Sequence, residues 1–173
     1  MSSIPLMLEY VSGLGARPGD REAARAILAH EDYRFELRRY EIPSAEHLID
    51  YFSRLDTIPL EDIPDLSGDH RKNNLREKHS KWLDCLRDPR KYEDRYERLK
   101  ALFTDDFLAE MQGRLAGMFP EGTDMIPDPA VVSTLSFGRS FGYPHEGAIH
   151  LDLFGIDEYC TIEDLPRIVL HEM

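Results

Sequence analysis

The sequence predicts an α+β fold, mostly α, with a helical N-terminal region, then a small antiparallel sheet, then the start of a buried helix. Three observations predict it. Apolar residues recur at helical spacing through the first two thirds of the chain. The texture turns β-branched and Gly-rich after "MFPEGTDMIPDP". Finally, the alternating stretch "AIHLDLFG" leads into the apolar "LPRIVLHEM". Two regions follow from this: a helical region over 1–120, and a second region over 121–173 with strands at about 130–137 and 148–154 and a helix from about 164.

The elements justify themselves in order. "GDREAARAILAH" opens on Gly19-Asp20 and places Ala23, Ala24, Ile27 and Leu28 on one face. In "PSAEHLIDYFSRL", Ser44 is the expected N-cap, and Leu48, Ile49, Phe52 and Leu55 form the buried stripe. "DTIPLEDIPDLSGD" is a connector, with two prolines and a glycine. A third run, about 69–87, carries Leu75, Trp82, Leu83 and Leu86; Asp88-Pro89 starts a fourth with Tyr92, Tyr96, Leu99 and Leu102. Thr104-Asp105-Asp106 caps a fifth through Phe107, Leu108, Met111, Leu115 and Met118. "AVVSTLSF" (130–137) reads as a strand, and "GRSFGYPHEG" as turn chemistry around Pro144. "AIHLDLFG" (148–155) puts Ile149, Leu151 and Leu153 on one face and His150 and Asp152 on the other, as a half-buried strand does. Asp164 is the expected N-cap of the last helix, with Pro166 in its first turn, where proline is tolerated.

Composition narrows the function classes. In 173 residues, 21 Lys and Arg stand against 33 Asp and Glu, a formal charge of −12. A nucleic-acid or anionic-membrane surface wants a clustered excess of basic residues, so neither partner is expected. Cys85 and Cys160 are far apart and lack a C-x-x-C partner, which suggests neither a disulfide framework nor a thiolate metal site. The N-terminus has no basic segment followed by an apolar one, and no stretch reaches the ~18 apolar residues of a membrane span, so the cytoplasm is the default compartment.

The dipeptide His-Glu occurs three times. Zinc peptidase chemistry uses it on a helix with a second His four residues after the first, so that both imidazoles share a metal beside the Glu. After His30-Glu31 that position holds Arg34, and after His145-Glu146 it holds Ile149. For His171-Glu172 it would be residue 175, beyond the last residue given. That third pair has the right context, an apolar helix directly after a strand with a polar face. Proteases commonly hold extended peptides on a sheet edge, and Ile149, His150 and Leu151 are the candidate edge.

From "VVSTLSF" to "VLHEM" the chain resembles the strand-to-active-helix segment of zincin-like zinc-dependent peptidases, the His-Glu-x-x-His gluzincin type of bacterial families. In that resemblance "AIHLDLFG" matches the strand before the active helix and "LPRIVLHEM" the start of that helix. It implies Zn2+ as cofactor, a peptide or protein as substrate, His171 as the first zinc ligand and Glu172 as the general base. Region 121–173 is then an incomplete catalytic region, and the chain the N-terminal part of a longer peptidase, inactive by itself. Two other readings compete. One is a non-catalytic, acidic helical interaction module. The other is a metal hydrolase built on His150 and Asp152, which face the same side of a strand.

Overall fold

Local sequence sets the helix ends. The computed structural model describes residues 2–14, 19–40, 42, 44–64, 75–120, 130–137, 141–156 and 160–173. Its helices are α1 (Ile4–Gly13), α2 (Arg21–Leu28), α3 (Glu31–Arg39), α4 (Glu46–Ser53), α5 (Leu75–Arg87), α6 (Pro89–Leu102), α7 (Asp105–Ala116) and α8 (Leu165–Glu172). Asp20 accepts the Ala23 N–H at 3.0 Å, Asp88 that of Lys91 at 3.4 Å and Thr104 that of Phe107 at 3.2 Å, each satisfying an orphan donor of a first turn. The expected start of α5 at 69–74 lies outside the described residues. Among those residues, no helix is long and apolar enough to cross a membrane.

Two expected caps differ. Ser44 lies one residue before the cap, which is Ala45, and its hydroxyl accepts the Glu46 N–H. Asp164 stands at the N-cap position of α8 as expected, but its carboxylate makes no bond to that helix and instead accepts the N–H and hydroxyl of Thr161 at 3.0 and 2.8 Å, tightening the 3-10 turn at Ile162–Asp164 ahead of the helix.

The strands are β1 (Ala130–Thr134), β2 (Gly142–His145) and β3 (Ala148–Asp152), in the order β1-β3-β2. The sheet is mixed, which corrects the antiparallel expectation. β2 forms the far edge, and a tight hairpin returns the chain between β2 and β1. β3 therefore runs antiparallel to β2 and parallel to β1, with Tyr143 opposite His150 and Thr134 opposite Asp152. The hairpin turn is Glu146-Gly147, with φ of 50° and 78°. Two consecutive positive φ values are what a two-residue turn matching the strand twist requires. β3 is also shorter than expected, because Leu153–Gly155 wind into a 3-10 turn whose Phe154 N–H donates to the Asp152 carboxylate.

One apolar cluster runs from Ile4 in α1 to Val169 in α8. Edge-to-face ring contacts tie its helices to the end of the sheet: Trp82 meets Phe52 at 4.8 Å and Phe154 at 4.9 Å, and Tyr92 meets Phe154 at 5.4 Å. The sheet has a different neighbour on each face. Gly142 and Leu151 meet α8, where a β-carbon on Gly142 would lie 3.3 Å from the Ile168 side chain. The opposite face, carrying Thr134, Tyr143, His150 and Asp152, lies against α3 and α5.

Candidate functional site

The polar face of β3 is buried, not half-exposed: every residue of the strand is buried. A polar face can be buried only if its groups are partnered. Asp152, 2% exposed, receives the Ser136 and Phe154 N–H groups on Oδ1, both at 3.0 Å, and the Lys78 ammonium of α5 on Oδ2. Glu36 of α3, 1% exposed, receives the Thr134 hydroxyl at 2.7 Å and the Ser136 hydroxyl at 2.8 Å, with the Tyr143 hydroxyl farther off at 3.5 Å. Ser136 thus joins the two carboxyl groups, and the network pins α3 and α5 to the ends of β1 and β3.

The charges of this network decide its protonation. Burial pushes Glu36 up to about 7, against the pull of the Thr134 and Ser136 hydroxyls; the nearby Asp152 charge adds to the rise. Burial also pushes Asp152 above the usual carboxylate range, against Lys78 and the two N–H groups. With one ammonium facing two carboxyl groups, the favourable neutral-pH arrangement is an ionised Asp152 beside Lys78 and a Glu36 that readily holds a proton.

Two residues away on the same face, His150 is 1% exposed and neither ring nitrogen has a hydrogen-bond partner among the described residues. It stacks on Tyr143 at 5.0 Å with 3° between the planes, and lies 5.1 Å from Phe35 and 6.1 Å from His145. Burial lowers it to about 4, helped by the neighbouring His145. The His145 backbone pulls weakly the other way, without hydrogen-bond geometry.

These positions revise two expectations. β3 is the central strand, with partners on both sides, so Ile149, His150 and Leu151 cannot pair with an extended substrate; among the described residues β2 is the edge on the α8 side. The error came from reading β2 as a turn because it contains Gly142 and Pro144. His150 and Asp152 do face one side, as expected, but both oxygens of Asp152 are taken by Lys78 and backbone N–H groups, so the pair does not offer a metal site.

His171 and Glu172 form the last turn of α8, His171 exposed and Glu172 half-buried on the side of Leu165 and Val169. They lie away from the Glu36–Asp152 network, which packs on the other face of the sheet. One imidazole and an adjacent carboxylate fit the opening of a zinc site and not a whole one, which takes about three protein ligands. Among the described residues no group of three His, Cys, Asp or Glu side chains is assembled to hold a metal. Cys85 and Cys160 are not joined in a disulfide, and burial pushes Cys85 up to about 12, which makes it inert.

No protein-family model matches the chain, and neither the curated proteins nor the solved structures give a significant match. Sequence reasoning missed Glu36 and Lys78 altogether. Both sit among charged neighbours, in "FELRR" and "REKHSK", and nothing local separates them from solvated residues.

Proposed function

We propose that the chain carries the opening of a zinc-dependent peptidase site, with His171 as first zinc ligand and Glu172 as general base. Extended peptides would be its substrates. The observation that supports this reading is the seating of α8 on β2. Gly142 lets Ile168 approach within van der Waals contact, so the His-Glu helix runs beside the strand whose outer backbone edge is unpaired among the described residues. Zinc, when bound in such a site, supplies Lewis acidity and an acidified water. In this chain the imidazole of His171 is the metal donor, and the carboxylate of Glu172 is the proton acceptor.

The test starts from the coding sequence beyond codon 173 and continues with protein that includes the residues it encodes. A His at 175 and one equivalent of zinc by atomic absorption are expected. His171→Ala should lose the metal, and Glu172→Gln should keep it while losing hydrolysis of an unstructured peptide. Another residue at 175, or loss of zinc in Glu172→Gln, overturns the assignment.

A further inference from the structure

Among the described residues His150 is buried in a cage of rings with both of its ring nitrogens unpartnered. Its imidazole sits at the middle of β3, flanked by Tyr143 and His145 of β2 and by Phe35 of α3. Two buried ring nitrogens without partners among the described residues are costly, because each gives up hydrogen bonds to water and gains none in return. The His145 Nε2 is also buried without a hydrogen-bond partner among the described residues, 3.6 Å from a Glu146 oxygen. Without a third donor among the described residues, the two imidazoles do not make a metal site.

Outside the cage, the same hairpin is fastened to α3 by a two-pronged ion pair. Arg38 donates through Nε and Nη2 to the two oxygens of Glu146, at 2.9 and 2.7 Å, and its guanidinium lies over the Phe35 ring at 4.6 Å. Arg38 holds the Glu146 carboxyl below the usual range, so this pair stays ionised while a histidine titrates. Among the described residues the other charged group acting on His150 is Asp32 of α3, while Glu36 and Arg39 act on the Tyr143 that stacks on it, Arg39 lying over the Tyr143 ring. Among the described residues none of these side chains hydrogen-bonds the imidazole, so a proton placed on it meets only the weak pull of the His145 backbone and charges that do not touch it.

We propose that His150 is an acid-sensitive latch, which holds the β2–β3 hairpin against α3 when neutral and releases the hairpin when protonated. The release is local. At the other end of the same face, Glu36 binds Thr134 and Ser136 and keeps α3 on the sheet. Because β2 is also the edge beside α8, acid would loosen that edge first. The latch stands on the cage geometry whether or not α8 belongs to a peptidase.

The sign follows from linkage. The folded value of about 4 lies below the ordinary 6.5, so the contribution of His150 is complete above pH 6.5 and is lost as pH falls toward 4. His150→Phe keeps an aromatic ring in the stack and cannot titrate. Between pH 7.5 and 4.5 the unfolding constant of the wild type should rise relative to that of His150→Phe by on the order of fiftyfold to a hundredfold. Hydrogen exchange, corrected for intrinsic rates, should show protection of 142–152 falling with acid in the wild type ahead of α1 and α5, and not in the variant. NMR titration of the His150 ring in the wild type decides the matter even if the variant does not fold. A value near 6.5 in the folded chain overturns the latch, as does an unchanged acid response of the hairpin amides in His150→Phe.

Discussion

Glu36→Gln isolates the cost of ionising a buried carboxyl group. In the folded chain this group titrates near 7 instead of its ordinary 4.5, chiefly because it is buried. The folded state therefore holds a proton that the unfolded state releases between those values. The sign is fixed: the stability Glu36 contributes is complete below pH 4.5 and is lost as pH rises through 7. The gap of about 2.5 pH units is worth about 3 kcal/mol, to be read as an order of magnitude. Gln keeps the shape and can accept from one hydroxyl of Thr134 or Ser136 while donating to the other, so the network survives. Urea unfolding followed by circular dichroism at pH 4.5, 5.5, 7 and 8.5 measures the effect. Relative to the wild type, Glu36→Gln should gain about 3 kcal/mol between pH 4.5 and 8.5, mostly below pH 7. Parallel profiles for the two proteins would refute the reasoning, since Glu36 would then titrate alike folded and unfolded.

Lys78→Met removes the one side-chain cation that contacts Asp152 among the described residues and leaves a buried carboxylate, at a cost of about 3–5 kcal/mol. Adding Asp152→Asn should recover a large part of that loss, because the Asn oxygen can still accept the Ser136 and Phe154 N–H groups. A double-mutant cycle by urea unfolding checks both statements, and additive losses would show that the pair is not coupled.

Periodicity made the helical layer legible. The stripes of α2, α4, α6 and α7 are apolar at spacings of three and four, and the caps of α2, α6 and α7 are short polar residues whose side chains accept a first-turn N–H. α1 has the same spacing, with Ile4, Met7, Leu8 and Val11 all buried, though it was not among the expected helices. α3 was harder. Its buried positions are Tyr33 and Glu36, and a glutamate on the inner face breaks the binary pattern that reveals a helix. β2 failed for a related reason: glycine at 142 and proline at 144 are turn residues by preference, and only an edge position next to a crowded helix makes them useful. The polar face of β3 was seen, but whether such a face meets water or another layer is a property of the whole fold. His171 and Glu172 were legible as a motif, and the structure adds only their neighbourhood.

Glu36 and His150 illustrate what a buried polar face costs and how the cost can be hidden. Burial raises one to about 7 and lowers the other to about 4, so their contributions slope in opposite directions with pH. Each spans about 2.5 pH units from its ordinary value, and the windows overlap between about pH 4.5 and 6.5. Their sum is nearly flat with a shallow maximum near pH 5.5, so the wild type conceals two steep dependences. Removing either group should expose the other: Glu36→Gln becomes acid-sensitive, and His150→Phe loses stability as pH rises. The cancellation is global and not local, because Glu36 ties α3 to Thr134 and Ser136 whereas His150 lies under the hairpin. Acid therefore tightens one end of the α3–sheet contact while it loosens the other, and total stability alone is a poor reporter of the state of β2.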